Sequence, residues 1–161
     1  MNLVFLGDEH LTKMSKPVEV FDEKLKELTD EMLVLMKKSD GVGLAAPQVG
    51  INIRLFVIRI DDGVDRVFVN PQIIETSQEQ CVIEEGCLSI PKFYAKVQRP
   101  SAITVQFFDL NGKPHTIQAS GFLARVIQHE NDHLNGVLFI DRIPEEKRRL
   151  AEKMIKKRMK A

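Results

Sequence analysis

An α+β fold is predicted: antiparallel sheets around a central metal-binding helix, with one helix N-terminal to it and one C-terminal. Three observations predict it. Helical periodicity or helix-start signals appear in three separate stretches, 21–38, 121–134 and the residues after Pro144. Short strand-like segments fall mostly before the middle helix and are joined by turn signals of the hairpin kind. The middle helix carries His129-Glu130-Asn131-Asp132-His133, an H-E-x-x-H run whose two histidines share one helical face.

In residues 21–38, Leu25, Leu28, Met32 and Leu35 recur at helical spacing, and lysines gather in the last turn. Gly41 to Gly50 reads as a glycine-bounded loop. Residues 54–60 and 67–69 read as strands joined by the turn Asp61-Asp62-Gly63. Asn70-Pro71 breaks the pattern before a further short strand at 72–76. Residues 103–109 and 115–119 flank Leu110-Asn111-Gly112-Lys113, a hairpin signal. Phe122, Leu123, Val126, Ile127 and Leu134 supply the apolar side of the metal helix, and Asn135-Gly136 stops it. Pro144 opens a last helix, 145–161, with Glu145 and Glu146 at its start and basic residues toward its end, as the helix dipole favours.

The 161 residues suit one domain, 1–161, and 43% hydrophobic content supplies a core. Formal net charge is zero, which excludes a generic polyanion binder, but the balance is uneven. From Glu145 onward eight Lys or Arg face three Glu, a net of +5, leaving −5 upstream. Such a basic run is usually a solvated helix face; the sharper reading is a contact with anionic ribosomal RNA. Asp8, Glu9 and Lys13 interrupt the opening segment, so no signal peptide is expected, and no apolar stretch is long enough to span a bilayer. A soluble, cytoplasmic protein is expected. Two cysteines make no disulfide framework. Cys81, with no motif around it, reads as a small buried apolar residue, and His10 and His115 read as surface residues.

Two imidazoles at i and i+4 can reach one metal ion, and the glutamate between them can reach a metal-activated water and take its proton. A third ligand is needed. Metzincin proteases place a histidine where this chain has Phe139, although Gly136 matches their glycine. Gluzincin proteases use a downstream glutamate, for which Glu145, Glu146 and Glu152 are available. Upstream, Cys87 in Glu85-Gly86-Cys87-Leu88-Ser89 offers a soft thiolate next to glycine.

Three segments carry a resemblance. Gly41-Val42-Gly43-Leu44-Ala45-Ala46-Pro47-Gln48 is similar to a G-x-G-L-A-A-x-Q motif, Glu85 to Ser89 to E-G-C-L-S, and Gln128 to His133 to Q-H-E-x-D-H. In this order, with 42 positions from Cys87 to His129, they resemble the motifs of peptide deformylase of the bacterial type 1. The resemblance implies removal of the formyl group from N-formylmethionyl nascent peptides. It implies Cys87, His129 and His133 as ligands of one divalent ion, with Fe(II) expected and Zn(II), Ni(II) or Co(II) accepted by the same donors. Glu130 would be the general acid and base, and Gln48 with the backbone N–H of Leu88 would hold the oxyanion. The glycines of the first motif would let a peptide approach as an added strand. Val42, Gly43, Ile83, Gly86, Phe122 and Val126 are the candidates for contact with the substrate and its methionine side chain. Arg125, one turn before His129, is expected at the pocket rim or as a solvated charge. An ion pair between Asp40 and Arg99 is expected to brace the first motif. Two alternatives stand beside this: a general metallopeptidase with Glu152 as ligand, and a non-catalytic metal-binding module using its basic helix for ribosome contact. Glu130 and Gln48 argue against the latter, which needs neither.

Overall fold

The computed structural model describes residues 1–159. Helix α1 spans Glu23–Lys38; the Asp22 carboxylate accepts from the Leu25 amide and starts it two residues later than expected. Strand β1 is Gly43–Ala45, followed by a 3-10 turn, Ala46–Val49. The segment read as a loop is therefore partly a strand. Three residues give no periodicity; β1 exists because it pairs with β2, Leu55–Ile58, in the register Gly43↔Ile58. Strand β3 is Arg66–Thr76, one continuous strand where two were expected. Asn70 adopts φ +50 there and exchanges hydrogen bonds with the backbone of Val18, so the expected break is a bulge.

Strands β4, Gln80–Cys87, and β5, Ile90–Pro100, form a separate two-stranded sheet that was not anticipated. Its signal is present in retrospect: Phe93, Ala95 and Val97 are buried while Tyr94, Lys96 and Gln98 between them are exposed. Strands β6, Ala102–Phe108, and β7, Pro114–Ser120, make the expected hairpin. The larger sheet is antiparallel, in the order β1-β2-β3-β6-β7.

Helix α2 is Gly121–Leu134 and helix α3 is Glu145–Met159; residues 160 and 161 of the expected last helix lie outside the described residues. The side-chain alternation of β2 explains the layering. Leu55 and Val57 pack with Leu25, Met32 and Met36 of α1, whereas Phe56 and Ile58 pack with Val126 and Ile127 of α2. A third cluster joins β5 to α3 through Phe93, Val97, Ala151 and Ile155, with Phe139 and Ile140 from the 3-10 turn Phe139–Arg142. Among the described residues, no helix is long and apolar enough to cross a membrane.

Gly136 closes α2. Its φ is +72, its amide donates to the His133 carbonyl, and a Cβ there would meet the Thr12 carbonyl oxygen at 2.7 Å. Gly136→Ala is expected to destabilise the fold by about 2 kcal/mol or more, read as a lower denaturant midpoint at unchanged slope.

Candidate metal centre

Helix α2 places His129 and His133 one turn apart, with ring centroids 5.2 Å from each other. Cys87, the last residue of β4, meets them. One ligand atom from each of the three lies within 4.8 Å of the others, and Cys87 Sγ is 3.4 Å from His133 Nε2. Sulfur and nitrogen donors about 2.3 and 2.0–2.1 Å from a tetrahedral ion stand roughly 3.5 Å apart, so the donor set fits a metal. Phe139 packs its ring near His129 and offers no donor. Glu152 lies on α3, pairs with Arg148 and is not among the three grouped donors.

Glu85 sets the donor side of His129. His129 Nδ1 is 2.8 Å from Glu85 Oε1, so Nδ1 donates to Glu85; against the effect of burial, the contacts with Cys87 and Glu85 raise His129 well above the ordinary histidine value, so a metal bound at Nε2 would displace a proton. Burial alone would push the Glu85 carboxyl up. Hydrogen bonds from His129 and Arg99, with the Arg99 charge, outweigh burial and hold it well below the usual carboxylate range. Burial, with the nearby positive charge, keeps His133 well below the ordinary histidine value, the neutral form a metal requires.

Arg99 donates to both Glu85 oxygens, at 2.6 and 2.9 Å, and to Asp132 at 2.8 Å. The expected Asp40–Arg99 pair is therefore wrong: Arg99 is buried against Glu85 and Asp132, while Asp40 is exposed at the cavity edge with φ +58. Arg125 lines the cavity, one of its two expected places, but it is not a solvated charge. It is 4% exposed and donates to Glu85 and to the Val97 and Cys81 carbonyls. A guanidinium tolerates burial when such acceptors match its donors. Cys81 is only half-buried; His10 and His115 are half-buried and paired with Asp8 and Asp109.

Glu130 is buried, one of its oxygens has no partner among the described residues, and burial pushes its carboxyl up to about 7. Its other oxygen explains a glycine: a Cβ on Gly43 would lie 2.5 Å from Glu130 Oε2. Gln48 is 1% exposed. Its Oε1 accepts from the Ala45 amide at 2.9 Å, which turns Nε2 toward Ser89 Oγ at 3.2 Å and Cys87 Sγ at 3.5 Å. Leu88 follows Cys87 at the tip of the β4–β5 hairpin, packed over Gly41.

These groups face a cavity of about 400 Å³. Val42, Gly43, Gly86, Phe122 and Val126 line it with Gln48, Leu88 and Glu130. Ile83 is not on this wall; it lies on β4 opposite Val97 of β5. Tyr94, 63% exposed, is a wall residue the sequence reading missed. Its ring occupies the place of a Gly86 side chain, since a Cβ there would meet Tyr94 Cε1 at 2.5 Å. Recognising β5 would have revealed it.

The chain matches the family model for polypeptide deformylase over residues 1–149. It is 52% identical over 148 residues to peptide deformylase of Treponema pallidum (strain Nichols), covering 92% of this chain and 91% of that relative. A peptide deformylase structure from Legionella pneumophila matches with TM-score 0.93 at 43% identity, over 99% of this chain and 95% of that one. A peptide deformylase from Ehrlichia chaffeensis in complex with actinonin matches with TM-score 0.97 at 37% identity, over 100% and 98%.

The contact between Gly43 and Glu130 is directly testable. Gly43→Ala should displace the Glu130 carboxylate, leave metal content near wild type and lower kcat by about tenfold or more. Unchanged turnover would mean that the carboxylate position is not critical.

Proposed function

On the premise that this chain belongs to the polypeptide deformylase family, we propose that Cys87, His129 and His133 hold its metal, that Glu130 moves the proton, and that Gln48 and the Leu88 N–H hold the oxyanion. The protein is a metal-dependent hydrolase that removes the formyl group from N-formylmethionyl peptides of newly made proteins, releasing formate. The observation that carries the ligand assignment is the convergence of three donors from β4 and α2, with the His129 tautomer fixed by Glu85.

When bound, the ion supplies Lewis acidity, giving a hydroxide nucleophile near neutral pH and a polarised carbonyl. The rest falls to the chain. The Glu130 oxygen without a partner among the described residues accepts the proton of the attacking water and later delivers it to the leaving amine. Gln48 cannot turn freely, because its carbonyl oxygen is anchored to Ala45, so its N–H bonds are set before the oxyanion forms. β1 is an edge strand; its Ala45 amide is taken by Gln48, and its remaining outward backbone groups are where an extended peptide would add, with the glycines letting it come close. Val42, Phe122 and Val126 provide the apolar wall for a methionine side chain.

The reading extends to Fe(II) as native metal, to a cytoplasmic enzyme, and to a single catalytic domain over 1–161 that includes the basic helix Glu145–Met159. Exposed Lys147, Arg149, Lys153, Lys156 and Lys157 on α3 support ribosomal RNA as a contact.

Formyl-Met-Ala-Ser incubated with the iron-loaded protein should release formate, while internal peptide bonds stay intact. Cys87→Ser should lose both metal and activity, and Glu152→Ala should lose neither; the reverse pattern sinks the ligand assignment. Glu130→Gln should keep metal and fold and lower kcat on the order of a hundredfold, whereas near-normal turnover rules out its role. For the oxyanion, Gln48→Glu should be worse than Gln48→Ala, with kcat falling more than KM rises in both, because the contact strengthens in the transition state. Equal kinetics for the two variants would remove Gln48 from the mechanism.

A further inference from the structure

Arg142 touches neither the cavity nor the three donors, yet it is the outer end of a continuous chain of charged hydrogen bonds that reaches His129. Its Nε and Nη2 donate to Asp132 Oδ2 and Oδ1 at 2.6 and 2.8 Å. Asp132 Oδ2 also accepts from Arg99 at 2.8 Å; Arg99 grips both Glu85 oxygens, and Glu85 holds His129 Nδ1 at 2.8 Å. The chain crosses four elements: the turn Phe139–Arg142, α2, β5 and β4. Two of these, α2 and β4, supply the three donors. Asp132 lies between His129 and His133, so fixing its carboxylate fixes the stretch of α2 that carries both. The same turn presses Phe139 toward the His129 ring, with centroids 6.0 Å apart.

We propose that Arg142 is a positioning residue for the metal centre, holding Asp132 so that Arg99 and Glu85 keep the His129 imidazole aimed at the metal. This rests on the reading that Cys87, His129 and His133 are the ligands. Among the described residues, Arg142 alone satisfies Asp132 Oδ1; without it the carboxylate can turn, and Arg99 is shared differently between Asp132 and Glu85. Because Arg142 is half-exposed, water can replace it, so the fold survives while the geometry loosens.

The test uses the cobalt(II)-substituted enzyme challenged with excess EDTA, following loss of the cobalt absorption. Removing a direct partner of a metal-bound histidine typically costs roughly 10–100-fold in affinity or activity, so a residue three links further out should give about threefold to tenfold faster loss. Arg142→Ala should show that acceleration, with kcat on formyl-Met-Ala-Ser lowered and KM little changed; Arg142→Lys should recover part of both. Arg148→Ala, which removes pairs to Asp141 and Glu152 in the same region but not to Asp132, should behave as wild type. Arg142→Ala combined with Asp132→Asn should lose cobalt no faster than Asp132→Asn alone, since both cut one chain. A wild-type rate in Arg142→Ala, an equal acceleration in Arg148→Ala, or additive effects in the double variant would each overturn the proposal. Retention of the thiolate-to-cobalt band in Cys87→Ser would instead overturn the ligand reading, so the two failures are distinguishable.

Discussion

Glu85 is the carboxylate around which the site is organised. It is buried, ionised, and surrounded by nitrogen donors: His129 Nδ1, two atoms of Arg99 and one of Arg125. A buried ion pair seldom stabilises a fold more than apolar packing of the same volume would, because desolvation offsets the attraction. Removing one partner is another matter, leaving an uncompensated charge at about 3–5 kcal/mol. The arrangement therefore contributes geometry more than stability. It fixes the angle between β4, which ends in Cys87, and α2, which carries the two histidines, in a way that apolar side chains, free to repack, do not.

That geometry also explains why α2 is so unusual a core helix. Arg125, Gln128, His129, Glu130, Asp132 and His133 are all buried on it. Each has a specific answer to burial. Gln128 donates to the Pro100 carbonyl, Arg125 to two strand carbonyls and Glu85, and Asp132 accepts from two guanidiniums. The exceptions are one Glu130 oxygen and His133 Nδ1, which lack partners among the described residues. Buried groups without partners are rare, and Asn131 Oδ1 on the same helix and Ser15 Oγ are two more. Of these four residues, Glu130 is the one that lines the cavity.

Much of the site was legible in the sequence because it lies in three short motifs whose spacing constrains it. The H-E-x-x-H run needed only helical geometry, and α2 has the expected bounds. The hairpin of β6 and β7 was legible from one turn signal. What failed were elements defined by partners distant in the chain. Strand β1 has three residues and no pattern of its own; β4 and β5 alternate weakly, and the partners of Glu85 and Arg99 are not evident until β4 and β5 are placed against α2. The Asp40–Arg99 error has the same origin. Sequence proximity to a motif says little about which of several charges will be buried together, and Arg99 had two closer carboxylates, one on the neighbouring strand and one on α2.

The open edge of β1 limits which chain ends can enter. It is only three residues long and lies beside a cavity closed on its far side by the β4–β5 hairpin. A strand already paired within a folded domain brings neighbours that the hairpin and Tyr94 would block. An unpaired chain end, one residue wide, has none. Strand addition at this edge therefore selects by conformation: it suits an extended, unpaired chain end and excludes one whose backbone is already paired in a sheet.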